Sequence, residues 1–190
     1  MNAPLDLKLD KAAFNRWLLD QERKFEWKDG RVVRMNNVTR DHADIVSNIM
    51  FALRERLGSK DYSIVASGYG VDRQRFIRFP DVLVEPRASE RKARRSETAL
   101  LLFEVLSPSS LATDLIEKPQ EYAGLDTLEA YVVVSQDAAI VWLWERDRDS
   151  GQFPNEPFKI AGRDQVLPLV GRGISVPLEI IYENIPTVDD

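Results

Sequence analysis

Apolar residues recur along the chain with the two periods that distinguish helices from strands. The clearest helical pattern covers residues 41–57, which Gly58 is positioned to end. Its apolar positions are Ile45, Ile49, Leu53 and Leu57. Residues 9–21 show a second helical pattern, with Asp10 as the candidate N-cap. We expect a third helix within residues 110–124.

Strand-like runs occupy much of the remaining sequence. The pair Asp29-Gly30, flanked by patterned runs at 24–28 and 31–35, is the strongest short signal for a β-hairpin. Further strands are predicted at residues 63–71, 75–85, 99–106, 130–135 and 138–145. The run at 99–106 is apolar on both faces apart from one residue, so we expect a central strand there.

This order of elements predicts an α/β (α+β) fold in which helices flank a central mixed sheet. At 190 residues the chain is expected to form a single domain, 1–190, with its core at about 22–146. Residues 147–190 contain strand-like patches interrupted by Pro154, Pro157, Pro168 and Pro177, so we expect short edge strands and loops there.

One carboxylate lies in the middle of the predicted central strand. In residues 99–106, Glu104 is the one charged residue among seven apolar ones. A buried carboxylate costs several kcal/mol unless it finds a partner or a metal. Asp81 has a similar place at the start of another apolar run, and Lys118 follows at a short interval. Two acids and a lysine of this kind suit a hard divalent cation and a water beside a phosphodiester.

Composition narrows the chemistry further. Hydrophobic residues make up 44% and charged residues 30%, which is typical of a globular protein. The chain has no cysteine, which excludes disulfides and thiolate sites, and His42 is its one histidine. Oxygen ligands therefore remain for any metal.

Residues 1–10 lack a basic start and an apolar core, and no apolar run reaches membrane-spanning length, so we expect a cytoplasmic protein without membrane association.

A basic run follows Asp81. The net charge of −5 argues mildly against binding nucleic acid by bulk attraction. Five cations nevertheless cluster within residues 87–95: Arg87, Arg91, Lys92, Arg94 and Arg95. They are candidate phosphate contacts around the acid, and a solvated hairpin tip is the alternative interpretation.

Several motifs in order resemble the Uma-type family of restriction endonuclease-like proteins, part of the PD-(D/E)XK nuclease superfamily. These are Glu26 in Phe-Glu-Trp-Lys-Asp-Gly, His42 opening a helix, Pro80-Asp81, Phe-Glu-Val-Leu-Ser-Pro-Ser-Ser at 103–110, and Asp114 followed by Lys118 and Tyr122. The resemblance covers about residues 25–134. It implies a restriction-endonuclease-like core and cleavage of DNA that depends on Mg²⁺ or Mn²⁺.

The resemblance also implies roles for individual residues. Asp81, Glu104 and the carbonyl of Val105 would ligate the metal, and Lys118 would orient water or steady developing charge. Glu26 and His42 would contribute to catalysis beside them. Asp114 and Tyr122 would be auxiliary.

Each of these residues has an ordinary structural alternative. Glu104 could form an ion pair with a buried lysine or arginine, and backbone amides could satisfy Asp81. Because Pro119 disfavours a helical conformation for the residue before it, we expect a helix that starts at Pro119 and leaves Lys118 just outside.

Three function classes remain open at this point. A metal-dependent DNA endonuclease leads, and a catalytically inactive nuclease fold that binds nucleic acid or protein is the alternative. A two-carboxylate glycosidase is disfavoured by the chain length and the order of elements. Enzymes that cut both DNA strands commonly act as two-fold dimers, so we expect a homodimer. We expect Trp142 and Trp144, on a predicted strand, to lie at the sheet surface or at such an interface.

Overall fold

The computed structural model describes residues 4–35, 37–58, 60–66, 68–87, 92–107 and 110–187. Its helices are α1 (Lys11–Leu18), α2 (Arg40–Leu57), α3 (Lys118–Tyr122) and α4 (Leu178–Ile181). Its first strands are β1 (Pro4–Lys8), β2 (Phe25–Lys28), β3 (Arg31–Arg34), β4 (Tyr62–Ala66), β5 (Gly70–Arg73), β6 (Phe76–Arg78) and β7 (Val82–Pro86). The later strands are β8 (Arg95–Ser96), β9 (Leu101–Val105), β10 (Ala130–Val134), β11 (Ile140–Glu145), β12 (Phe158–Ala161), β13 (Val166–Leu169) and β14 (Ile174–Pro177).

The longer helices begin and end at the residues that their caps dictate. The carboxylate of Asp10 accepts the backbone N–H of Ala13 at 2.7 Å, which confirms the predicted N-cap of α1. Helix α2 begins one residue before the predicted boundary, because Thr39 is its N-cap. Gly58 ends α2 with a φ of 72°, a conformation that glycine adopts without strain.

Within the described residues, the strands form two six-stranded sheets and one two-stranded sheet. The first sheet has the order β1-β3-β2-β6-β5-β8, and the second has the order β12-β11-β10-β9-β7-β4. Strands β13 and β14 pair with each other. The predicted hairpin joins β2 to β3, with positive φ at both Asp29 and Gly30, as a tight turn between twisted strands requires.

The second sheet separates two parts of the core. Alternate residues of β9 point to opposite faces. Leu101, Phe103 and Val105 pack with α2 and α4 on one face, and Leu102 packs with Tyr122 of α3 on the other. Glu104 therefore shares the α3 face with Leu102. A smaller apolar cluster fills the space between α1 and the first sheet.

The mixed α/β architecture agrees with the prediction. Two predicted strands were wrong, because each of them is two shorter strands in the structure. Residues 63–71 divide into β4 and β5, and residues 75–85 divide into β6 and β7. In both cases the two halves belong to different sheets. The second division falls at Phe79-Pro80, where proline cannot donate a ladder hydrogen bond.

The C-terminal segment contributes more to the core than its prolines indicated. Strand β12 is an edge strand, as expected, but five residues from β13, β14 and α4 are buried in the core cluster that α2 also lines: Leu167, Leu169, Val176, Leu178 and Ile181. Neither α4 nor β1 was predicted. Trp144 is buried beside Tyr131, so the expectation that it lies at the sheet surface or an interface was wrong. Within the described segments, no helix is both long and apolar enough to cross a membrane.

Candidate functional site

Asp81 directly precedes β7, and Glu104 lies on the neighbouring strand β9 of the second sheet. Strands β7 and β9 are antiparallel, with Val82 opposite Phe103. The register extended by one residue places Asp81 opposite Glu104, and such partners have side chains on the same face. Both residues are buried, at 8% and 5% exposure. The structure therefore brings together the two carboxylates that the sequence singled out.

Asp81 is held by two hydrogen-bonding groups from different elements. Its Oδ2 accepts the backbone N–H of Val105 at 2.8 Å. Its Oδ1 lies 3.1 Å from Nε2 of His42, which is buried in the first turn of α2. The backbone-amide alternative for Asp81 is thus observed, and the histidine is brought to the same carboxylate.

A hydrogen-bonded chain fixes the start of α2 beside the end of β9. Thr39 Oγ1 accepts the backbone N–H of His42 at 3.2 Å and donates to Gln136 Oε1 at 2.7 Å. Gln136 Nε2 in turn donates to the carbonyl of Leu106 at 2.6 Å. Sequence analysis missed Gln136, because no local pattern marks a buried amide in the loop after β10. This chain orients His42 toward Asp81.

Glu104 is paired with a buried lysine. Lys118 Nζ donates to Glu104 Oε1 at 2.7 Å and lies 2.8 Å from Asp114 Oδ1. Burial lowers the pKa of Lys118, but the carboxylates of Asp114, Glu104 and Glu26 outweigh it and hold that pKa well above its usual value. Lys118 is therefore charged, and the ion-pair alternative for Glu104 is observed.

Burial, together with three nearby carboxylates, raises the pKa of Glu104 more than Lys118 lowers it. Burial raises its pKa, the charge of Lys118 lowers it, and the carboxylates of Asp114, Asp81 and Glu26 raise it again. The net result is a pKa well above the usual value. A site with this property favours a proton or a cation at Glu104.

The expected placement of Lys118 outside a helix was wrong. Residues 113–117 form a π-turn that continues directly into α3, and Lys118 has the helical angles φ −63° and ψ −38°. Its backbone N–H bonds to the carbonyl of Thr113, five residues back. The wider turn removes the clash that Pro119 would cause in an α-helix. One face of this helix thus carries both Asp114 and Lys118.

The same turn leaves one backbone carbonyl without a helical partner. In the π pattern, the carbonyl of Asp114 would accept from residue 119, and a proline has no N–H to donate. The hydroxyl of Tyr131, on β10, instead donates to this carbonyl at 2.9 Å. Tyr131 thereby satisfies the helix at the residue where it departs from regular geometry.

Glu26 is paired with an arginine that sequence analysis did not assign to the site. Nη1 of Arg78, on β6, lies 2.7 Å from Glu26 Oε2, and the backbone N–H of Phe79 donates to Oε1 at 3.2 Å. The same guanidinium binds both oxygens of Glu121, on α3, each at 2.9 Å. Burial raises the pKa of Glu26, but Lys118 and Arg78 outweigh it, so the net pKa is lowered. Glu26 is therefore ionised.

Tyr122 is fully buried and packs edge-on against Phe76 and Tyr131. Burial raises the pKa of its hydroxyl well above the usual value, and the charge of Glu104 adds to the shift. Within the described residues the hydroxyl has no hydrogen-bond partner. Tyr122 thus lies within the charged cluster and acts there as a neutral hydroxyl.

The basic run does not surround Asp81 as expected. Arg87 follows the last residue of β7, at the opposite end of the strand from Asp81 and roughly 20 Å away at about 3.3 Å per residue. Arg95 belongs to β8 in the other sheet, Arg94 precedes it, and Lys92 is exposed nearby. Arg91 lies outside the described residues.

The side chains of the site suit Mg²⁺, which keeps several bound waters, better than a metal ion whose ligands all come from the protein. Within the part of the chain that the structure describes, no three His, Asp or Glu side chains are grouped to hold a metal ion. Mg²⁺ binds through one or two carboxylates and keeps several waters. The buried cluster contains four carboxylates, on Glu26, Asp81, Glu104 and Asp114, and two permanent cations, on Arg78 and Lys118. A divalent cation fits this excess of negative charge.

The sequence of this chain matches a known protein family. Residues 12–179 match the model of the Uma2 family, which is described as "Putative restriction endonuclease". The chain belongs to the Uma2 family. The match contains every residue named above for the site, so the resemblance found in the motifs is confirmed.

Two relatives extend the comparison. The "Uncharacterized protein slr1290" of Synechocystis sp. is 28% identical over 182 residues, which cover 94% of this chain and 93% of the relative. The crystal structure of a "putative nuclease belonging to DUF820" from Anabaena variabilis superposes with a TM-score of 0.76 and 12% identity. That match covers 94% of this chain and 99% of the other. This Uma2 protein therefore has the fold of that structure, which confirms the predicted fold class.

Proposed function

We propose that this protein is a metal-dependent DNA endonuclease that hydrolyses phosphodiester bonds. The observation that carries the proposal is the position of Asp81 opposite Glu104, with Lys118 Nζ 2.7 Å from Glu104 Oε1. Membership of the Uma2 family supports a nuclease, and the surplus of buried carboxylates supports a divalent cation.

Asp81, Glu104 and the carbonyl of Val105 would hold Mg²⁺ or Mn²⁺. When bound, such an ion lowers the pKa of a water and offsets charge on the phosphate. The hydrogen bonds from Val105 and His42 orient the Asp81 carboxylate. They use one lone pair on each oxygen, so each keeps another for a ligand.

Lys118 acts on the nucleophile and on the developing charge. Its ammonium is held between Glu104 and Asp114, so its position is fixed before substrate binds. It stays protonated, because the surrounding carboxylates raise its pKa. Its role is therefore to orient water and stabilise negative charge.

DNA is the proposed substrate, with Arg87, Lys92, Arg94 and Arg95 as candidate phosphate contacts.

A homodimer is proposed because two antiparallel strands need two active sites. Size-exclusion chromatography with light scattering, with and without a short duplex, tests this state. A mass of one chain in both conditions contradicts the dimer.

Plasmid cleavage tests the catalytic proposal. Supercoiled plasmid is incubated with the protein and Mg²⁺ or Mn²⁺, beside a chelator control. Glu104→Gln is the test variant. Glu85→Gln is the matched control, since Glu85 is an equally buried glutamate, at 5% exposure, near the other end of β7. We expect metal-dependent nicking or linearisation that Glu104→Gln abolishes and Glu85→Gln retains. Equal cleavage by Glu104→Gln contradicts the proposed site.

A nuclease fold that binds without cutting is the second candidate. One observation favours it: Asp81 and Glu104, the proposed metal ligands, already contact His42, Val105 and Lys118, and both are more than nine-tenths buried. Binding of DNA with no cleavage in either metal identifies this alternative.

A further inference from the structure

A basic cleft lies on the side of the first sheet that α1 covers. It measures about 430 Å³, within the roughly 300–1,000 Å³ typical of ligand sites. Four cations from two distant segments line it: Arg23 and Lys24 before β2, and Arg94 and Arg95 at β8. Phe25 and Phe79 line it as well. The fold thus assembles a positive cleft that neither segment forms alone.

The charge of this cleft is only partly offset. No carboxylate is among the described residues that line it. Arg95 is held by Asn15 at 2.7 Å and by Asp72 at 3.0 Å, which fixes its position and neutralises part of its charge. The other three cations are exposed, and none forms an ion pair within the described residues. Their charge is available to a ligand.

Strand β2 and the Phe79 segment contribute residues both to the cleft and to the candidate active site. Phe25 precedes Glu26 on β2, and neighbouring strand residues point to opposite faces. Phe79 lies two residues before Asp81, and its backbone N–H donates to Glu26 Oε1 at 3.2 Å. Phe25 in the cleft and Glu26 in the site thus lie on opposite faces of β2. A DNA strand that passes the Phe25 end of β2 would contact both faces.

We propose that this cleft binds a phosphate-bearing nucleotide of the DNA that flanks the phosphate being cut. The proposal rests on the proposed nuclease function and adds Arg23 and Lys24 to its DNA contacts. Three exposed cations around one ordered arginine suit a backbone phosphate. Phe79, which is half-buried, provides an apolar wall for the sugar or base. The cleft sets affinity for DNA, and the carboxylates perform the chemistry.

The test compares two double variants of equal charge. Arg23→Gln with Arg94→Gln removes two exposed cations from the cleft. Arg54→Gln with Lys60→Gln removes two exposed cations near the end of α2, which do not line it. Fluorescence anisotropy measures binding of a labelled duplex and of its single strand in chelator, from 50 to 200 mM salt. Thermal melting confirms that both variants fold, and plasmid cleavage with Mg²⁺ gives kcat and KM.

We expect the cleft variant to bind DNA at least roughly tenfold more weakly at 100 mM salt. Its slope of log affinity against log salt should fall by about 0.7 to 0.9 per lost contact. KM should rise while kcat is retained, and the α2 variant should match the wild type. Equal weakening by both variants, or by neither, overturns the proposal.

The same measurements distinguish failure of the cleft as a DNA site from failure of the nuclease function. Wild-type cleavage that neither double variant changes leaves the nuclease intact and overturns the cleft. DNA binding that depends on the cleft without any cleavage supports the cleft and contradicts the nuclease. Absence of both DNA binding and cleavage in the wild type overturns both.

Discussion

Arg78 and Glu26 form a fully buried ion pair, with 2.7 Å between Nη1 and Oε2. Their strands β6 and β2 are neighbours in the first sheet, and the register that pairs Trp27 with Ile77 places them opposite each other. The guanidinium also binds Glu121 on α3, the helix that Lys118 begins. One side chain thereby joins the strand of Glu26 to the helix that carries Lys118.

Replacing Arg78 should destabilise the fold and misplace the site. Arg78→Gln leaves the buried carboxylate of Glu26 without its cation, and breaking such pairs typically costs about 3–5 kcal/mol. Urea denaturation measures the free energy of unfolding. Arg78→Lys keeps the charge but not the fork that binds two carboxylates, so we expect a smaller loss of stability and reduced kcat. A loss below about 1 kcal/mol for Arg78→Gln contradicts this role.

Glu121 should make stability depend on pH on the acid side. Burial raises its pKa, but hydrogen bonds and charge from Arg78 and Lys28 outweigh it, and the net pKa lies below the usual 4.5. A carboxyl with a depressed pKa contributes stability above its unfolded pKa, and this stability is lost as pH falls through the folded value. We expect the free energy of unfolding of Glu121→Gln to fall less steeply than that of the wild type as the pH drops below 4.5. Glu179→Gln, at an exposed position on α4, is the control and should keep the wild-type slope.

Tyr131 should matter for stability because Pro119 leaves the Asp114 carbonyl unsatisfied. Tyr131→Phe removes the one hydrogen bond described for that carbonyl, and a buried unsatisfied acceptor costs about 1–3 kcal/mol. In a Pro119→Ala background, the new backbone N–H can serve the carbonyl, so the same change should cost less. A double-mutant cycle by denaturation measures the difference. Equal costs in both backgrounds contradict the link between the two residues.

Lys118 should compete with a metal for the same negative charge. Lys118→Met leaves Glu104 and Asp114 without their shared cation, so we expect lost cleavage and a loss of about 3–5 kcal/mol in chelator. Added Mg²⁺ should raise the melting temperature of this variant more than that of the wild type, because bound ligand stabilises the folded state. Asp81→Asn should reduce the shift in both backgrounds. An equal shift with and without Asp81 contradicts its role as a ligand.

The sequence predicted the acids of this site better than their partners. Glu104 stands out because a carboxylate in an apolar strand is costly, and the same reasoning applies to Arg78 within Phe-Ile-Arg-Phe. Its partners Glu26 and Glu121 depend on the pairing of β2 with β6 and on the position of α3. These relations are non-local, and no periodicity along the chain contains them.

Local conformational rules gave a wrong prediction at Lys118 and in residues 75–85. The rule that a residue before proline avoids helical angles misplaced Lys118, because a π-turn removes the clash and a distant tyrosine satisfies the carbonyl left over. Similarly, alternation alone extended one strand through residues 75–85. The division at Phe79-Pro80 arises because the two halves pair with different sheets.

The short connection through Phe79 and Pro80 sets a limit on how chain length can vary in this fold. It carries the chain from the last residue of β6 to Asp81. One inserted residue would displace Asp81 by about 3.3 Å and turn its side chain to the opposite face. Length differences between relatives should therefore collect in loops such as 147–157, and the three-residue step from Arg78 to Asp81 should keep its length.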